Sequence, residues 1–265
     1  MMFPLRLSLV QSDIRWGDKA ANLEHFDRLL KPLRGQTDLA VLPEMFTTGF
    51  FTDNAQLAES NNEYSMQAVR KWAKDYGFAI CGSFLACDAG KVYNRAFFIT
   101  PDLTEYYYDK RHLFRMGGEN LLFSAGDRQV IVPYKGWNIL LIVCYDLRFP
   151  VWTRNVDRAY DLMICPSNWP EKRNMLWELL LKTRAVENYA YSCGVNRIGE
   201  DSHGNNHIGN SLLVDFKGFP IAEGGIDVET VVTGTLDKEA LTLFNERFPV
   251  WKDADRFELD IINKI

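Results

Sequence analysis

Asn138-Ile-Leu-Leu-Ile-Val-Cys-Tyr-Asp-Leu-Arg-Phe-Pro150 is the stretch whose reading decides the fold. Apolar residues run unbroken from Ile139 to Val143 into Cys144, and the chain then turns polar at Tyr145-Asp146. A short apolar run rich in branched side chains is a strand buried on both faces, of the kind found in sheets covered by helices. Cys144 then stands where the strand ends, the edge at which open α/β sheets present reactive groups. A thiol there, beside a Tyr145 N–H no longer committed to a ladder, has the makings of a nucleophile with an oxyanion site. An inert core thiol is the competing reading, and the stretch alone leaves both open.

Around this strand the pattern alternates between sheet and helix. Leu5 to Gln11, Asp38 to Leu42, Phe78 to Ser83 and Leu162 to Cys165 read as strands. Asn22 to Leu33, Ser65 to Tyr76 and Asn174 to Tyr189 carry apolar residues at helical spacing. Asp237 caps a further helix over 239–247. Asn94 to Thr100 with Leu103 to Tyr108, and Gln129 to Tyr134 with Trp137 to Val143, read as hairpins. Further strands are expected over 191–195, 210–215 and 228–234. Residues 111–127 form a long connection, which inside a compact domain is usually functional or disordered. Strands alternating with helices at both ends, with hairpins between, predict two sheets packed face to face with helices outside. The chain, 1–265, reads as one α/β domain, with an aromatic tail from about 248 that packs on the body or on a dimer partner.

Composition limits the partners. A net charge of −5 with interspersed signs lacks the basic face that nucleic acid requires. No apolar run approaches the ~20 residues of a membrane span, and Met1 to Val10 lacks the layout of a signal peptide. Cys81, Cys87, Cys144, Cys165 and Cys193 are odd in number, irregular in spacing and without a CxxC pair. Reduced thiols in a cytoplasm fit this better than disulfides or a metal site, and no metal or cofactor is expected.

Glu44, Lys110 and Cys144 each directly follow an apolar or aromatic strand. A free thiol titrates near ~8.5 and needs a neighbouring base or cation to act at neutral pH. Glu44 could take the proton from Cys144, hand it to departing ammonia and later activate water on a thioester. Lys110 could stabilise the carbonyl oxygen alongside the Tyr145 N–H. Each also has an ordinary reading: a turn glutamate after Pro43, a charged exit from a strand, a core thiol.

Leu42-Pro-Glu-Met-Phe46, Tyr108-Asp-Lys-Arg-His-Leu-Phe114 and Val143-Cys-Tyr-Asp-Leu-Arg-Phe-Pro150 resemble, in order, the glutamate, lysine and cysteine motifs of the nitrilase superfamily of carbon–nitrogen hydrolases. The resemblance runs along nearly the whole chain. It implies a four-layer α-β-β-α sandwich, with Glu44 as general base, Lys110 as electrostatic stabiliser and Cys144 as nucleophile. Glu119, ahead of Ser124-Ala-Gly-Asp127, matches the second glutamate that the family holds near its lysine. The family's subunits commonly pair through helices, so a homodimer or higher homo-oligomer is expected. Cys144 to Pro150, Pro166-Ser-Asn-Trp-Pro170 and Phe248 to Asp255 look closest to bacterial ω-amidases. That branch hydrolyses the ω-amide of small 2-oxo acids such as 2-oxoglutaramate and 2-oxosuccinamate to the dicarboxylate and ammonia. An aliphatic amidase, carbamoylase, nitrilase or acyl transfer to an amine remains as an alternative, and a non-enzymatic scaffold or thiol sensor stands further off.

A substrate with a carboxylate asks for a cation besides Lys110. Arg173, after Trp169-Pro-Glu-Lys172, is the candidate, with Trp169 and Phe46 as pocket walls. Arg148 reads as structural, holding the turn after Cys144 by pairing with an acid. Of the four histidines, His25 reads as an exposed helix residue, and His203 and His207 flank a turn. His112, beside Lys110, is the one rival partner for the thiol.

Overall fold

The structure is a computed structural model that describes residues 4–53, 55–255 and 257–259. The strands are β1 (Leu5–Gln11), β2 (Leu39–Val41), β3 (Ala79–Asp88), β4 (Lys91–Ile99), β5 (Glu105–Asp109), β6 (Val130–Tyr134), β7 (Trp137–Leu141), β8 (Leu162–Ser167), β9 (Tyr191–Asn196), β10 (Ile198–Glu200), β11 (Asn206–Ile208), β12 (Leu212–Val214), β13 (Pro220–Glu223) and β14 (Thr230–Leu236). The helices are α1 (Lys19–Leu30), α2 (Tyr64–Tyr76), α3 (Glu119–Leu122), α4 (Asn174–Asn188) and α5 (Lys238–Arg247). One six-stranded sheet runs β14-β1-β2-β3-β4-β5, the other β13-β12-β9-β8-β7-β6, and β10–β11 form a separate ribbon.

Side-chain parity explains the layers. In β1, Leu5, Leu7 and Leu9 enter a core shared with Ile139 and Leu141 of the second sheet, while Val10 faces the other way. In β2 and its exit, Leu39 and Val41 join the shared core, and Ala40 and Leu42 point to α1 and α2. A strand alternates faces at every residue, so a run apolar at every position must be covered on both sides. Phe26 of α1 and Trp72 of α2 cover the first sheet; Trp177 of α4 and Leu241 of α5 cover the second. The result is the four-layer α-β-β-α sandwich in a single domain.

Three local readings change. The first helix starts at Lys19, because the Asp18 side chain caps the Ala21 N–H. It passes at Lys31 into a tighter turn containing Pro32, which has no N–H to donate. β3 and β4 extend to a tight turn at Ala89-Gly90, both at positive φ, and pair over nine positions. The polar Cys87-Asp88-Ala89 end hid this, as did the lack of alternation there. The β10–β11 ribbon and β13 are too short and polar to carry a period. Of the expected tail, residues 256 and 260–265 lie outside the described residues; within it, Arg158 lies 4.6 Å over the Trp251 ring. No helix among the described residues is long and apolar enough to cross a membrane.

Asp38 ties the sheets together at the end away from Cys144. Its carboxylate accepts from Arg6 Nε at 3.0 Å and Lys135 Nζ at 2.6 Å, and its carbonyl from Tyr134 OH at 2.9 Å. Partial burial pushes the carboxyl up, but hydrogen bonds from Arg6 and Lys135 outweigh it and hold it at about 2. A depressed carboxyl stabilises the fold above its unfolded pKa, near ~3.9, and that contribution is lost as pH falls through the folded value. Asp38→Asn is therefore expected to cost about 1 kcal/mol at pH 7, allowing for solvent screening. The gap to the parent in urea denaturation should narrow at pH 3; a gap independent of pH would count against the ion pairs as its source.

Candidate active site

Glu44 is placed by the way β2 ends. Leu42 N–H still bonds Cys81 O at 2.8 Å, after which Pro43 cannot extend the ladder. Met45 takes a φ of +47° and donates its N–H to Ser83 Oγ at 2.9 Å, turning the chain sharply. Glu44 is 0% exposed, so the solvated-turn alternative is excluded. Its Oε1 accepts from Lys110 Nζ at 2.9 Å and Asn94 Nδ2 at 2.7 Å, and its Oε2 from Asn168 N–H at 2.7 Å. Asn168 Nδ2 also holds the Glu44 carbonyl at 2.7 Å.

Lys110, 1% exposed, leaves the end of β5 into a buried carboxylate pair. Its Nζ lies 2.9 Å from Glu44 and 3.0 Å from Glu119. Burial pulls the ammonium down, but Glu119 and Glu44 outweigh it and hold Lys110 above its ordinary range. The Glu119 carboxyl, fully buried on α3, is pushed up by desolvation and by Glu44, against the pull of Lys110. Phe114 N–H donates to its Oε2 at 2.6 Å and Asn94 Nδ2 to its Oε1 at 3.0 Å. One ammonium between two carboxylates leaves excess negative charge in a dry place.

Cys144 arrives from the other sheet. After β7, Ile142 N–H still bonds Ile164 O, and Cys144 then takes a φ of +42° at the start of a 3-10 helix over Cys144–Arg148. A non-glycine residue there is strained by about 1–3 kcal/mol, which the surroundings must impose. Asp146, 0% exposed, does so: its Oδ2 accepts from Val143 N–H and Tyr108 OH, and its Oδ1 from His112 N–H and Nδ1. The Tyr145 N–H falls in the first turn, where a helix offers no internal acceptor. Burial and the charge of Glu44 hold the Cys144 thiol well above its ordinary value, with Lys110 opposing. A thiol disfavoured as thiolate in this way would need a base to take its proton in any attack.

Glu44, Lys110 and Cys144 all line a cavity of about 800 Å³. Arg173 and Trp169 line it. Phe46 does not: it is fully buried against Phe26, Trp72 and Phe97 on the helix side of the first sheet. Being two residues on from Glu44, it would share that face in a strand, but Met45 at positive φ breaks the alternation. Phe50 and Phe114 are the aromatic walls instead. Arg148 also lines the cavity and, among the described residues, pairs with no acid; its guanidinium lies 4.8 Å over Trp169. The reading of Arg148 as an acid-paired strut is therefore overturned, because Asp146 already holds that turn.

His112 stacks on Phe149 with centroids 3.7 Å apart and bonds Asp146, so it is a partner of the turn rather than of the thiol. His112→Ala is expected to keep at least about a tenth of the activity, since its backbone N–H still holds Asp146. Activity as low as that of a Lys110 variant would restore the Cys–His pair. His25 is half-buried against Glu229 Oε2 at 2.9 Å, not exposed. His207 is buried and, by that burial, held down at about 4. No group that could hold a metal ion exists among the described residues. Asn94 and Asn168 were not singled out in the sequence. A polar residue within the predicted β4 arm, and the strand-end position after β8, were the available signals.

The carbon–nitrogen hydrolase family model matches residues 6–245. The ω-amidase YafV of Escherichia coli is 43% identical over 256 residues, 96% of this chain and 98% of that protein. A 2-oxoglutaramate amidase of Bacillus subtilis is 30% identical over 253 residues, 93% of this chain and 96% of its own. A CN-hydrolase superfamily protein from Xanthomonas campestris, solved with an arsenic adduct in its active site, superposes with a TM-score of 0.95 at 42% identity, covering 97% of this chain and 100% of that one. A Saccharomyces cerevisiae member of branch 10 of the nitrilase superfamily has a TM-score of 0.84 at 26% identity, over 93% and 95% of the two chains.

Proposed function

The chain belongs to the carbon–nitrogen hydrolase family, and from that premise we propose that it is an ω-amidase using Cys144 as nucleophile. The substrates are small 2-oxo dicarboxylic acid monoamides, 2-oxoglutaramate and 2-oxosuccinamate, split into dicarboxylate and ammonia. The observation that carries this is a buried carboxylate–ammonium array sharing a cavity with the Cys144 thiol, with guanidinium groups in the cavity's lining.

Glu44 takes the Sγ proton as sulfur attacks the amide carbon. Lys110 Nζ and the Tyr145 N–H receive the negative charge that develops on oxygen. Collapse expels ammonia with the proton returned by Glu44, leaving a thioester. Glu44 then takes a proton from water, which attacks the thioester and frees the acid and the thiol. Glu119 keeps Lys110 charged and aimed, so the ammonium serves the oxyanion without first giving up its proton. Arg173 receives the substrate carboxylate as a fork. The same chemistry needs a reduced Cys144, which suits the cytoplasm.

Ammonia release across short ω-amides, neutral aliphatic amides, carbamoyl amino acids and nitriles tests the reading. Faster turnover of carboxylate-bearing ω-amides is expected; equal or better turnover of neutral amides would defeat it. A homodimer belongs to the same proposal. Met175, Leu179 and Val186 of α4 are 75%, 55% and 46% exposed, an apolar face a helix pairing would cover. Light scattering at micromolar concentration is expected to give twice the chain mass, and a monomer there would remove the dimer.

A further inference from the structure

Asn94, on β4, is 0% exposed, and its side chain spans the two acids that flank Lys110. Its Nδ2 donates to Glu44 Oε1 at 2.7 Å and to Glu119 Oε1 at 3.0 Å, which uses both of its hydrogens. Ser83 fixes the amide this way round. Ser83 Oγ accepts the Met45 N–H at 2.9 Å, so its own hydrogen goes to Asn94 Oδ1 at 3.0 Å. The flipped amide would aim its carbonyl at two carboxylates. Strand register sets these distances. Ser83 pairs with Ala96 and Leu85 with Asn94, which makes Ser83 and Asn94 diagonal neighbours on one face of the sheet. The Asn94 carbonyl also accepts the Lys110 N–H at 2.9 Å, so one residue seats both the backbone of the cation and the side chains of the acids.

An ionised carboxylate oxygen offers about two lone-pair sites. Glu44 Oε1 fills both, with Lys110 Nζ at 2.9 Å and Asn94 Nδ2 at 2.7 Å. Oε2 has one donor among the described residues, the Asn168 N–H at 2.7 Å, and the carbonyl of that same Asn168 meets Cys144 Sγ at 3.9 Å. We propose that Asn94 is a positioning residue: by closing Oε1 of Glu44 it makes Oε2 the atom that carries the proton through the reaction. This deepens the thiol mechanism proposed above and rests on it, whichever amide is cleaved. The S–H proton passes to Oε2 as the S–C bond forms. Oε2 returns it to nitrogen as the C–N bond breaks and ammonia leaves. It then takes a proton from water as the O–C bond forms, and gives it to sulfur as the C–S bond breaks. A proton held on Oε1 would instead lie against the Lys110 ammonium, off this path. Asn94 is fully buried and is not part of the cavity lining, so it acts through Glu44 and not on the substrate.

The test compares the parent with Asn94→Leu, which keeps the bulk and loses the donors, and with Ser83→Ala, which frees the amide to turn. Steady-state rates on a good amide are measured across the pH range in which the parent is active. For Asn94→Leu, kcat is expected to fall about 10- to 100-fold with KM within about threefold of the parent's, since the lost bonds are to the base and not to substrate. Losing a donor to ionised carboxylates lets the Glu44–Glu119 pair bind a proton at higher pH, in the presence of Lys110 and the Cys144 and Cys165 thiols. The acid limb of kcat/KM should therefore move up by about one pH unit, the scale of one hydrogen bond to a charge. Ser83→Ala should move both quantities the same way by less, about threefold in kcat, and decides the matter alone if Asn94→Leu does not fold. A lower kcat with the acid limb unmoved, or a loss carried by KM, overturns the assignment and leaves the thiol mechanism standing. A Glu44→Gln protein that keeps the parent's turnover defeats that mechanism, and the assignment with it.

Discussion

Replacing Cys144 by Ala is expected to lower kcat by about 10⁴-fold or more, since removing the attacking atom of a nucleophilic enzyme costs on that scale or beyond. Stability should barely change. The side chain packs at the edge of the shared core and makes a weak hydrogen bond, Sγ to Asn168 O at 3.9 Å, and alanine tolerates the positive φ of the turn no worse than cysteine. The turn is held by Asp146, whose bonds to Val143, Tyr108 and His112 do not involve sulfur. Quenched-flow mass spectrometry of the parent with a good amide should show a protein adduct of acyl mass, absent from the variant. A Cys144→Ala protein that retains more than about one per cent of turnover would sink the thiol mechanism and revive a non-catalytic role.

Lys110→Met should fail in two ways at once. Activity should fall by about 10³-fold or more, because the oxyanion loses a buried charged donor. Stability should fall by about 3–5 kcal/mol, because Glu44 and Glu119 are left buried without their shared cation. The sign with pH follows from Glu119, whose carboxyl is already raised by burial. A carboxyl raised in the folded state gains stability by binding a proton, so the variant should recover part of its loss as pH falls from 8 to 5.5. Urea denaturation at both values measures this. Equal stability of variant and parent at pH 8 would show that Lys110 does not neutralise the pair.

Much of this was legible in the sequence, for identifiable reasons. Both sheets announce themselves because their strands are apolar at successive positions, and a sandwich buries both faces. The meeting of Glu44, Lys110 and Cys144 in one cavity was legible because each directly follows such a strand. Arg148 was misread because a sequence shows which charges are near but not which are already satisfied; Asp146 spends its acceptors on Tyr108, Val143 and His112. Phe46 was misplaced because one residue at positive φ, Met45, reverses the side on which the next side chain emerges. The short β10–β11 ribbon carries no periodic signal, being held by what packs around it.

The proposed base and the proposed nucleophile come from different layers. Glu44, Lys110 and Asn94 ride on the first sheet, Cys144 and Asn168 on the second, and Asn168 grips Glu44 through both its side chain and its backbone. Between the layers lie apolar contacts with a few polar ties, Tyr134 and Lys135 to Asp38 at the far end and Tyr108 to Asp146 near Cys144. Catalysis therefore acts as a gauge of how the two sheets are docked. A small slip along that interface would part acid from sulfur while each sheet kept its ladders. Under rising urea or hydrostatic pressure, turnover should fade before the circular dichroism of either sheet changes, and substitutions at Asn168 should move that onset without moving the unfolding midpoint to the same degree.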